Sequence, residues 1–472
     1  MPEGIVKDKG GIEIKTSATL AVFLSDALNY LVSFPYGCSE QIASKLSSLA
    51  IVKRGLNLKN IGDKFTLKDI EFEGQKYNLD DVVEIGLARI YANQSSTGGF
   101  MYYPDLEPSF HLTLHIVNAL EDLRRAGYAI NQSSLDKAGR YLYGQIVSDT
   151  RFYQDKNLVI LTAYTIGRLS GLDQESSFLS KKILEITNDK KFVQEDISHI
   201  SLAHLAILLT KGYPSSIKNE VFKILENRIT IDGRGAFLAQ RNNQRLWEYY
   251  ETPIKDTALL LKAFAADKRQ NPIVDKILRW ILRSRAKDGA WGSSNNTVSV
   301  IDALTDFLEW KRETESEFSL SLNLDGKEKA KFDFNNNTIL NTFEAFLPTS
   351  DFTMNTIHTF DFLKTNRNQL ANTFYYDMLL KYFLPIDVIP PRDEGLAITR
   401  ELYRLDDEEN KSPLTEAKVG DVLKGHLTII LPKDRNFVAV EDFIPAGMEI
   451  VNLKLATEDQ SLKKQQKNNL YD

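Results

Sequence analysis

The chain has 472 residues, of which 43% are hydrophobic and 26% charged, so it is long enough for about three ordinary globular domains. Its 58 basic and 64 acidic residues give a net charge of -6, which argues against a nucleic-acid binder that relies on a broadly basic surface. A single cysteine, Cys38, excludes an internal disulfide, a cysteine-rich zinc site and a CxxC redox pair.

Apolar residues recur at spacings of three and four from about Ser17 to Trp310, which predicts about a dozen helices in six hairpins. The predicted helices are Leu20–Val32, Ser39–Arg54, Asp80–Ala92, Phe110–Gly127, Leu135–Val147, Leu158–Gly171, Phe178–Thr187, Ile197–Leu209, Ser215–Asn227, Thr252–Ala266, Ile273–Arg285 and Thr297–Trp310. A glycine-aromatic turn precedes two of them, at Gly98–Tyr102 and at Asp288–Gly292. Repetition of one helical unit favours a closed ring or a solenoid.

After Trp310 the pattern changes to strands. Phe318–Leu324 and Ala330–Phe334 alternate around Asp325-Gly326, which predicts a hairpin with a type I′ turn. We expect further strands at Asp351–Phe360 and Tyr375–Leu384. The breaker-rich segment Pro390–Gly395 then indicates a domain boundary.

A second β region follows this boundary. Its predicted strands are Leu396–Arg404, Val422–Leu431, Phe437–Glu441 and Met448–Leu455. Four strands are few for a stable sandwich, so this unit is expected to be incomplete.

The one cysteine follows Pro35 and Gly37, which break the preceding helix, and the next helix is predicted to start near Ser39. Cys38 therefore lies at a helix N-terminus, where free N–H groups and the helix dipole favour a thiolate. Gln41 is about one turn later, so its amide carbon can face the sulfur. Loss of ammonia would join the two as an internal thioester, which amines or hydroxyls can attack. Cys-x-x-Gln alone is a weak motif, and an inert buried cysteine beside a helix cap is the alternative.

The segment Pro35–Gln41, PYGCSEQ, resembles the Pro-Tyr-Gly-Cys-x-Glu-Gln thioester signature of α-2-macroglobulins, particularly the bacterial ones. It is also similar to the signature of complement thioester proteins. The likeness extends along the chain. Gly98–Phe100 with its helix and Trp291–Thr297 resemble parts of the thioester domain, and the motifs Gly395-Leu396, Arg400, Val419–Asp421 and Pro445–Glu449 resemble the bacterial terminal macroglobulin domain.

The resemblance implies a multidomain α + β architecture. Residues 13–312 would form an α/α toroid, the thioester domain, inserted into a CUB-like β domain. That domain would be made of residues 1–12 and 313–393, the latter including a linker. Residues 394–472 would form part of a macroglobulin-like β-sandwich. Since the family carries further macroglobulin-like domains and a bait region upstream, the chain is expected to be a C-terminal fragment of a protein that acts outside the cytoplasm.

The resemblance also implies a function, which is covalent inhibition of proteases rather than catalysis. Cleavage of the bait would expose the thioester of Cys38 and Gln41, and a lysine of the protease would attack the Gln41 acyl carbon. Gly37 and Glu40 would support the motif, with Glu40 orienting it, and Tyr36 would shield it from water. Target proteases and the upstream domains are the expected partners, and neither a cofactor nor a metal is expected.

Histidines bear on the acyl acceptor. In complement relatives a histidine about one hundred residues after the thioester assists transfer to hydroxyls, and the corresponding stretch here, Ile146–Asn157, contains none. Transfer to amines is therefore expected. His111 and His115 lie one turn apart and are candidates to line the pocket, although both could simply be packed helix residues. They lack the His-Glu-x-x-His pattern of zinc hydrolases.

Three other interpretations of the sequence are open. A toroid enzyme of the terpene cyclase or prenyltransferase type would need aspartate clusters such as Asp-Asp-x-x-Asp, which the sequence lacks. A binding or structural module of the same fold whose thioester never forms is the second, and the intact pair of Cys38 and Gln41 argues against it. A cysteine protease is the third, and no motif places a histidine with an Asn or Asp partner.

Overall fold

The computed structural model describes residues 4–32, 37–56, 70–72, 75–148, 154–211, 215–240, 250–370, 373–385, 395–407, 410, 412–432 and 438–451. The chain divides into two compact units, residues 1–383 and residues 384–472. The first contains a helical domain and two three-stranded sheets. Among the described residues, no helix is long and apolar enough to cross a membrane.

Twelve α-helices form the helical domain in the described part of the chain. They are α1 (Val22–Val32), α2 (Ser39–Gly55), α3 (Leu79–Ala92), α4 (Phe110–Arg125), α5 (Gln132–Ser148), α6 (Lys156–Ile166), α7 (Asp173–Asn188), α8 (His199–Leu209), α9 (Ser215–Asn227), α10 (Pro253–Ala266), α11 (Ile273–Arg283) and α12 (Ser294–Lys311). A π-helical turn at Phe192–Asp196 precedes α8. The predicted helices are thus present, several with shifted ends.

The even-numbered helices form a closed inner ring. Each packs on the next, from α2 through α4, α6, α8 and α10 to α12, and α12 packs back on α2. Each inner helix also contacts an odd-numbered helix on the outside, which is its neighbour in the chain for five of them and α1 for α12. The inner helix α8 is buried on nearly all sides, whereas the outer helix α11 buries one stripe from Val274 to Ile281. This closed ring of helical hairpins is the α/α toroid that the sequence predicts.

One hydrogen bond recurs at the start of three inner helices. The backbone N–H groups of Phe100, Leu238 and Trp291 donate to threonine hydroxyls in the first turns of α4, α10 and α12, at 2.8 to 3.1 Å. Phe100 and Trp291 are completely buried, and the Trp291 indole N–H donates to the Ile281 carbonyl. Both glycine-aromatic turns therefore place a buried aromatic side chain between the helices.

Two antiparallel sheets are formed by the chain segments before and after the helical domain, and they share one hydrophobic core. One sheet has the order β10 (Tyr375–Tyr382), β1 (Gly10–Ser17), β8 (Phe343–Pro348), and the other β7 (Lys327–Phe334), β6 (Phe318–Leu324), β9 (Phe360–Asn366). Ile14 of β1 packs in the same cluster as Phe318 and Leu320 of β6. Because β1 precedes the toroid and its partners follow it, the toroid is an insertion between strands of one domain. Strand β1 runs to Ser17, beyond the expected boundary at residue 12.

The predicted hairpin is confirmed, with positive φ at both Asp325 and Gly326. The predicted strand Asp351–Phe360 is wrong. Its start is a 3-10 turn, Asn355 has a φ of 55°, and the strand begins only at Phe360. The His358 ring contacts Asp325 Oδ2 at 2.6 Å and the Thr353 carbonyl at 2.8 Å, which holds the segment in a loop. Strand β8 was not predicted.

The second unit contains one antiparallel pair in its described part, β11 (Ala397–Arg404) with β12 (Leu423–Ile430). Two further strands predicted here are absent where the chain is described, since residues 438–441 and 448–451 are irregular. Their remaining residues, 437 and 452–455, lie outside the described part. Two pairs of short strands occur within the helical domain. The three-residue strands β2 (Ile70–Phe72) and β3 (Gln75–Tyr77) form one pair, and the four-residue strands β4 (Ile229–Asp232) and β5 (Gly235–Leu238) form the other.

A buried carboxyl group, Glu313, joins the toroid to the sheets. It accepts the backbone N–H of Leu20 at 3.0 Å and the hydroxyl of Tyr375. Burial raises the pKa of Glu313 to about 7. The folded protein therefore holds this proton at pH values where the unfolded chain has lost it, and stability should fall as the pH rises from about 4.5 to 7, by about 3 kcal/mol.

Replacing Glu313 by glutamine should remove this part of the pH dependence. Urea unfolding of the wild type and Glu313→Gln at several pH values between 4 and 8 measures it. Parallel pH profiles for the two proteins would contradict the prediction.

Candidate active site

All six inner helices begin on one face of the ring. Residues near the start of one inner helix contact residues near the start of the next helix around the ring. The Ser198 N–H donates to Asn157 at 2.9 Å, and the Thr252 hydroxyl donates to Asn296 at 2.7 Å. Five of the helices have oxygen-bearing N-cap side chains that accept a backbone N–H, namely Ser109, Asp155, Ser198, Thr252 and Ser293. The sixth, α2, has Cys38 at this position. Negative charge is favoured here because the partial positive ends of six helices converge.

Cys38 and Gln41 are held together at the start of α2. The backbone of Cys38 is extended, with φ -64° and ψ 169°, and its N–H donates to Gln41 Oε1 at 3.1 Å. The Gln41 side chain therefore folds back over the cysteine rather than pointing along the helix. The same N–H polarises the amide carbonyl, which makes its carbon more electrophilic. The Cys38 side chain is partly accessible.

Gly37 leaves room for this arrangement. A Cβ atom at residue 37 would lie 2.9 Å from Gln41 Cβ and 3.1 Å from Gln41 Oε1. Any larger residue would therefore press on the amide that faces Cys38. Tyr36, expected to shield the motif, lies outside the described residues.

Two tyrosines lie close to the start of α2. The Tyr102 carbonyl accepts the backbone N–H and the hydroxyl of Ser39, at 3.0 and 3.3 Å. Asn93 donates to the Ser39 hydroxyl at 2.9 Å, and the Tyr102 hydroxyl bonds to that of Tyr250. Burial, together with the charges of Glu40 and Cys38, raises the pKa of Tyr102. Its phenol therefore remains neutral beside the thiol.

Glu40 is a buried carboxylate that joins three inner helices. It accepts hydrogen bonds from Ser44 and Ser294 at 2.9 Å each, and from Asn295 at 3.4 Å. His115 Nε2 lies 3.8 Å from the carboxylate and 2.9 Å from the Ser44 hydroxyl. These contacts fix the first turn of α2 against α4 and α12. An orienting role for Glu40 is consistent with them.

His111 and His115 lie in the wall of a cavity of about 150 Å³ inside the ring. Burial lowers the pKa of His111 to about 4 and also lowers that of His115, so both rings are neutral at pH 7. His204 and Lys255 line the same cavity, and burial lowers their pKa values to about 4 and about 8. The histidines of this wall are therefore neutral, whereas Lys255 stays mostly protonated at pH 7. The wall also contains two cations paired with carboxylates, Arg168 with Asp122 and Lys262 with Asp302.

Comparison with known protein families shows to which family the chain belongs. Residues 11–307 match the family model described as the A-macroglobulin TED domain, and residues 395–471 match that of the Bacterial Alpha-2-macroglobulin MG10 domain. The chain belongs to the alpha-2-macroglobulin family. The helical ring is its TED domain, and the second unit corresponds to the MG10 domain.

Named relatives agree with this membership. The chain is 23% identical to an alpha-2-macroglobulin homolog of Nostoc, over 97% of this chain and 23% of that protein. It is also 23% identical to an alpha-2-macroglobulin of Thermotoga maritima, over 61% of this chain and 15% of that one. The chain thus spans less than a quarter of the curated relatives it matches.

Solved structures of the family are similar to it as well. An Escherichia coli alpha-2-macroglobulin activated by porcine elastase matches 92% of this chain and 35% of its own, with 15% identity and a TM-score of 0.49. The native Escherichia coli protein matches 86% of this chain and 23% of its own, with 16% identity and a TM-score of 0.47.

Several groups of this alpha-2-macroglobulin site were missed by sequence reasoning. Ser294 and Asn295 reach Glu40 from about 250 residues away, and no local pattern indicates that contact. Thr297 was named only as part of a segment that resembles the thioester domain. His199, for which no sequence motif indicates a role, contacts the buried side chain of Asp256 at 3.2 Å.

Within the described part of this macroglobulin chain, one group of three side chains could share a metal ion. The candidate ligand atoms of His199, Glu251 and Asp256 lie within 4.8 Å of one another. Burial raises the pKa of Asp256 well above its ordinary value. A protonated Asp256 satisfies the pair with His199 without any ion, so we treat this group as structural.

Proposed function

We propose that Cys38 and Gln41 are joined as an internal thioester, and that the chain is the acylating part of a protease-trapping inhibitor. The observation that carries the proposal is the 3.1 Å hydrogen bond from the Cys38 N–H to Gln41 Oε1. It places the amide of one residue over the other, at the positive end of α2. Membership of the alpha-2-macroglobulin family supports the same chemistry.

Formation of the bond is an acyl transfer within the chain. The Cys38 thiolate attacks the Gln41 amide carbon, and the Cys38 N–H donates to the oxygen that becomes negative. The C–N bond then breaks, and the nitrogen leaves as ammonia after taking up a proton. Sulfur and carbon are now bonded, and the chain has lost one ammonia.

Trapping of a protease is a second acyl transfer at the Gln41 side-chain carbonyl carbon. An amine of the target attacks it, the C–S bond breaks, and Cys38 leaves as a thiolate that takes up a proton. The product is an amide between Gln41 and a lysine of the protease. Each chain reacts once, so the protein is an inhibitor rather than an enzyme. The acceptors we propose are amines, the partners are target proteases and the upstream domains of the family, and the place of action is outside the cytoplasm.

Water must be kept from the thioester until the target arrives, because water is also a nucleophile. We assign part of this role to Tyr102 and Tyr250, whose hydroxyls are bonded to each other beside the start of α2. Tyr36 remains the expected shield from the sequence. Glu40 holds the first turn of α2 in place through its hydrogen bonds.

Intact-mass spectrometry of the native chain tests the proposal. The mass should be about 17 Da below that of the sequence, which is one ammonia. Methylamine should then add at Gln41 and release one titratable thiol. Cys38→Ser and Gln41→Ala serve as controls. Both should have the full mass of their sequences and should not react with methylamine.

A full sequence mass, with a thiol that reacts at once, would contradict the proposal. The chain would then be a binding or structural module of this fold without a working thioester.

A further inference from the structure

One buried amide side chain, Asn93, links the start of α2 to the loop that carries Tyr102. Asn93 follows α3 and is 8% exposed, and Ser39 is completely buried. The Asn93 side-chain N–H donates to the Ser39 hydroxyl oxygen at 2.9 Å. The Asn93 carbonyl accepts the backbone N–H of Met101, also at 2.9 Å. Asn93 therefore holds the residue after Cys38 with its side chain and the residue before Tyr102 with its backbone.

The contact continues from Ser39 to Tyr102. Because the Ser39 hydroxyl oxygen accepts from Asn93, its own hydrogen is directed to the Tyr102 carbonyl, at an oxygen–oxygen distance of 3.3 Å. The Ser39 backbone N–H donates to the same carbonyl at 3.0 Å. Buried hydrogen bonds that follow one another in this way strengthen each other. A chain of hydrogen bonds that begins at Asn93 therefore joins the Tyr102 loop to α2.

Capping of α3 does not require the Asn93 side chain. The backbone N–H of Asn93 donates to the carbonyls of Arg89 and Ile90, at 3.3 and 3.1 Å, and any residue except proline has this donor. The Asn93 φ of -96° lies outside the left-handed region in which asparagine is favoured. The end of α3 therefore gives no reason for an amide at this position, whereas the contact with Ser39 does.

We propose that Asn93 is a positioning residue that sets how long the thioester survives in water. This role rests on the proposed function, in which two tyrosines keep water from the acyl carbon. Asn93 acts through Ser39, which holds the Tyr102 loop against the start of α2. Water reaches the acyl carbon when this loop opens locally, so a weaker link gives a larger open fraction and faster hydrolysis.

Hydrolysis has a product that can be weighed. The water oxygen bonds to the Gln41 side-chain carbon, the C–S bond breaks, and a proton from the water goes to the Cys38 sulfur. Residue 41 then carries a carboxyl group and Cys38 is a thiol. The mass rises by about 18 Da, which is one water added to the thioester form.

Asn93→Ala removes the side-chain link and keeps the backbone N–H at the end of α3. We expect the thioester to form, because the hydrogen bond from the Cys38 N–H to Gln41 Oε1 remains. We expect it to hydrolyse about fivefold faster, which corresponds to about 1 kcal/mol, the usual contribution of one hydrogen bond. Reaction with methylamine should accelerate by the same factor, because access to the acyl carbon changes and its chemistry does not. Thiol release over time and intact mass measure both rates on the whole chain.

Asn157→Ala is the matched control. The Asn157 side-chain oxygen accepts the Ser198 N–H at 2.9 Å and so helps to fix the start of another inner helix, α8. This variant should lose a similar amount of stability in urea and keep the wild-type rates of hydrolysis and of methylamine addition. The double variant Asn93→Ala/Ser39→Ala should react no faster than Ser39→Ala alone, because both changes break the same chain of hydrogen bonds.

Equal hydrolysis rates in Asn93→Ala and Asn157→Ala, with the thioester intact in the wild type, would overturn the role of Asn93 and leave the proposed function in place. Additive effects of Asn93→Ala and Ser39→Ala would also overturn it, because the two residues would then act separately. A full sequence mass in the wild type would instead overturn the proposed function, and the role of Asn93 with it.

Discussion

Gly37→Ala is expected to lose most of the thioester while the fold is retained. The added methyl group would lie 2.9 Å from Gln41 Cβ and 3.1 Å from Oε1, so the amide must rotate away from Cys38. Its hydrogen bond to the Cys38 N–H is then lost, and with it the alignment for attack. We expect the fraction of chains lacking one ammonia to fall by about tenfold, since a misalignment that costs about 1.4 kcal/mol has this effect.

The matched control is Gly144→Ala. Gly144 lies in α5, and a Cβ atom there meets no heavy atom within 4 Å. This variant should show the same loss of one ammonia, relative to its own sequence mass, as the wild type, and gain a little stability. Intact mass and urea unfolding are measured on both variants. Full ammonia loss in Gly37→Ala would show that the close contact with Gln41 does not matter for bond formation.

Glu40→Ala should have the largest combined effect on stability and reactivity. The carboxylate is buried and accepts from Ser44, Ser294 and Asn295, each of which would lose this hydrogen bond. Hydrogen bonds to a charged group contribute more than neutral ones, so the loss of stability should be about 3 kcal/mol. The first turn of α2 would also be released from α12, and the thioester should form more slowly and react with water sooner.

The control here is Glu84→Ala, which removes an exposed glutamate of α3 and should be neutral. Glu40→Gln separates two roles of the carboxylate, because it keeps an oxygen acceptor and removes the charge. Urea unfolding measures stability, and thiol release over time in buffer measures hydrolysis. If Glu40→Ala is destabilised but its thioester hydrolyses at the wild-type rate, Glu40 has only a structural role.

Much of the toroid is predictable from sequence because its helices are amphipathic or fully apolar over more than ten residues. The start of α2 was also predictable, because Pro35 and Gly37 exclude a continuous helix and Cys38 and Gln41 lie one turn apart. What the sequence could not provide is the closure of the ring. That closure brings α12 onto α2 and thereby Ser294 and Asn295 onto Glu40.

The errors in the β regions have a related cause. Alternation in Asp351–Phe360 predicts a strand, but His358 bonds to a turn more than thirty residues away and holds a loop. Strand β8 pairs with β1, which precedes it by more than three hundred residues. Neither partner is visible in a local pattern. Long-range pairing, rather than propensity, decided both segments.

The insertion of the toroid between β1 and its partner strands has a consequence for cleavage of the backbone. Both ends of the helical domain are anchored in one sheet, since β1 is hydrogen-bonded along its length to β8 and β10. A single backbone cut between two helices would therefore leave each piece tied to the same β framework. An acyl group carried on one piece and a target attached to it would stay with the rest of the chain after such a nick.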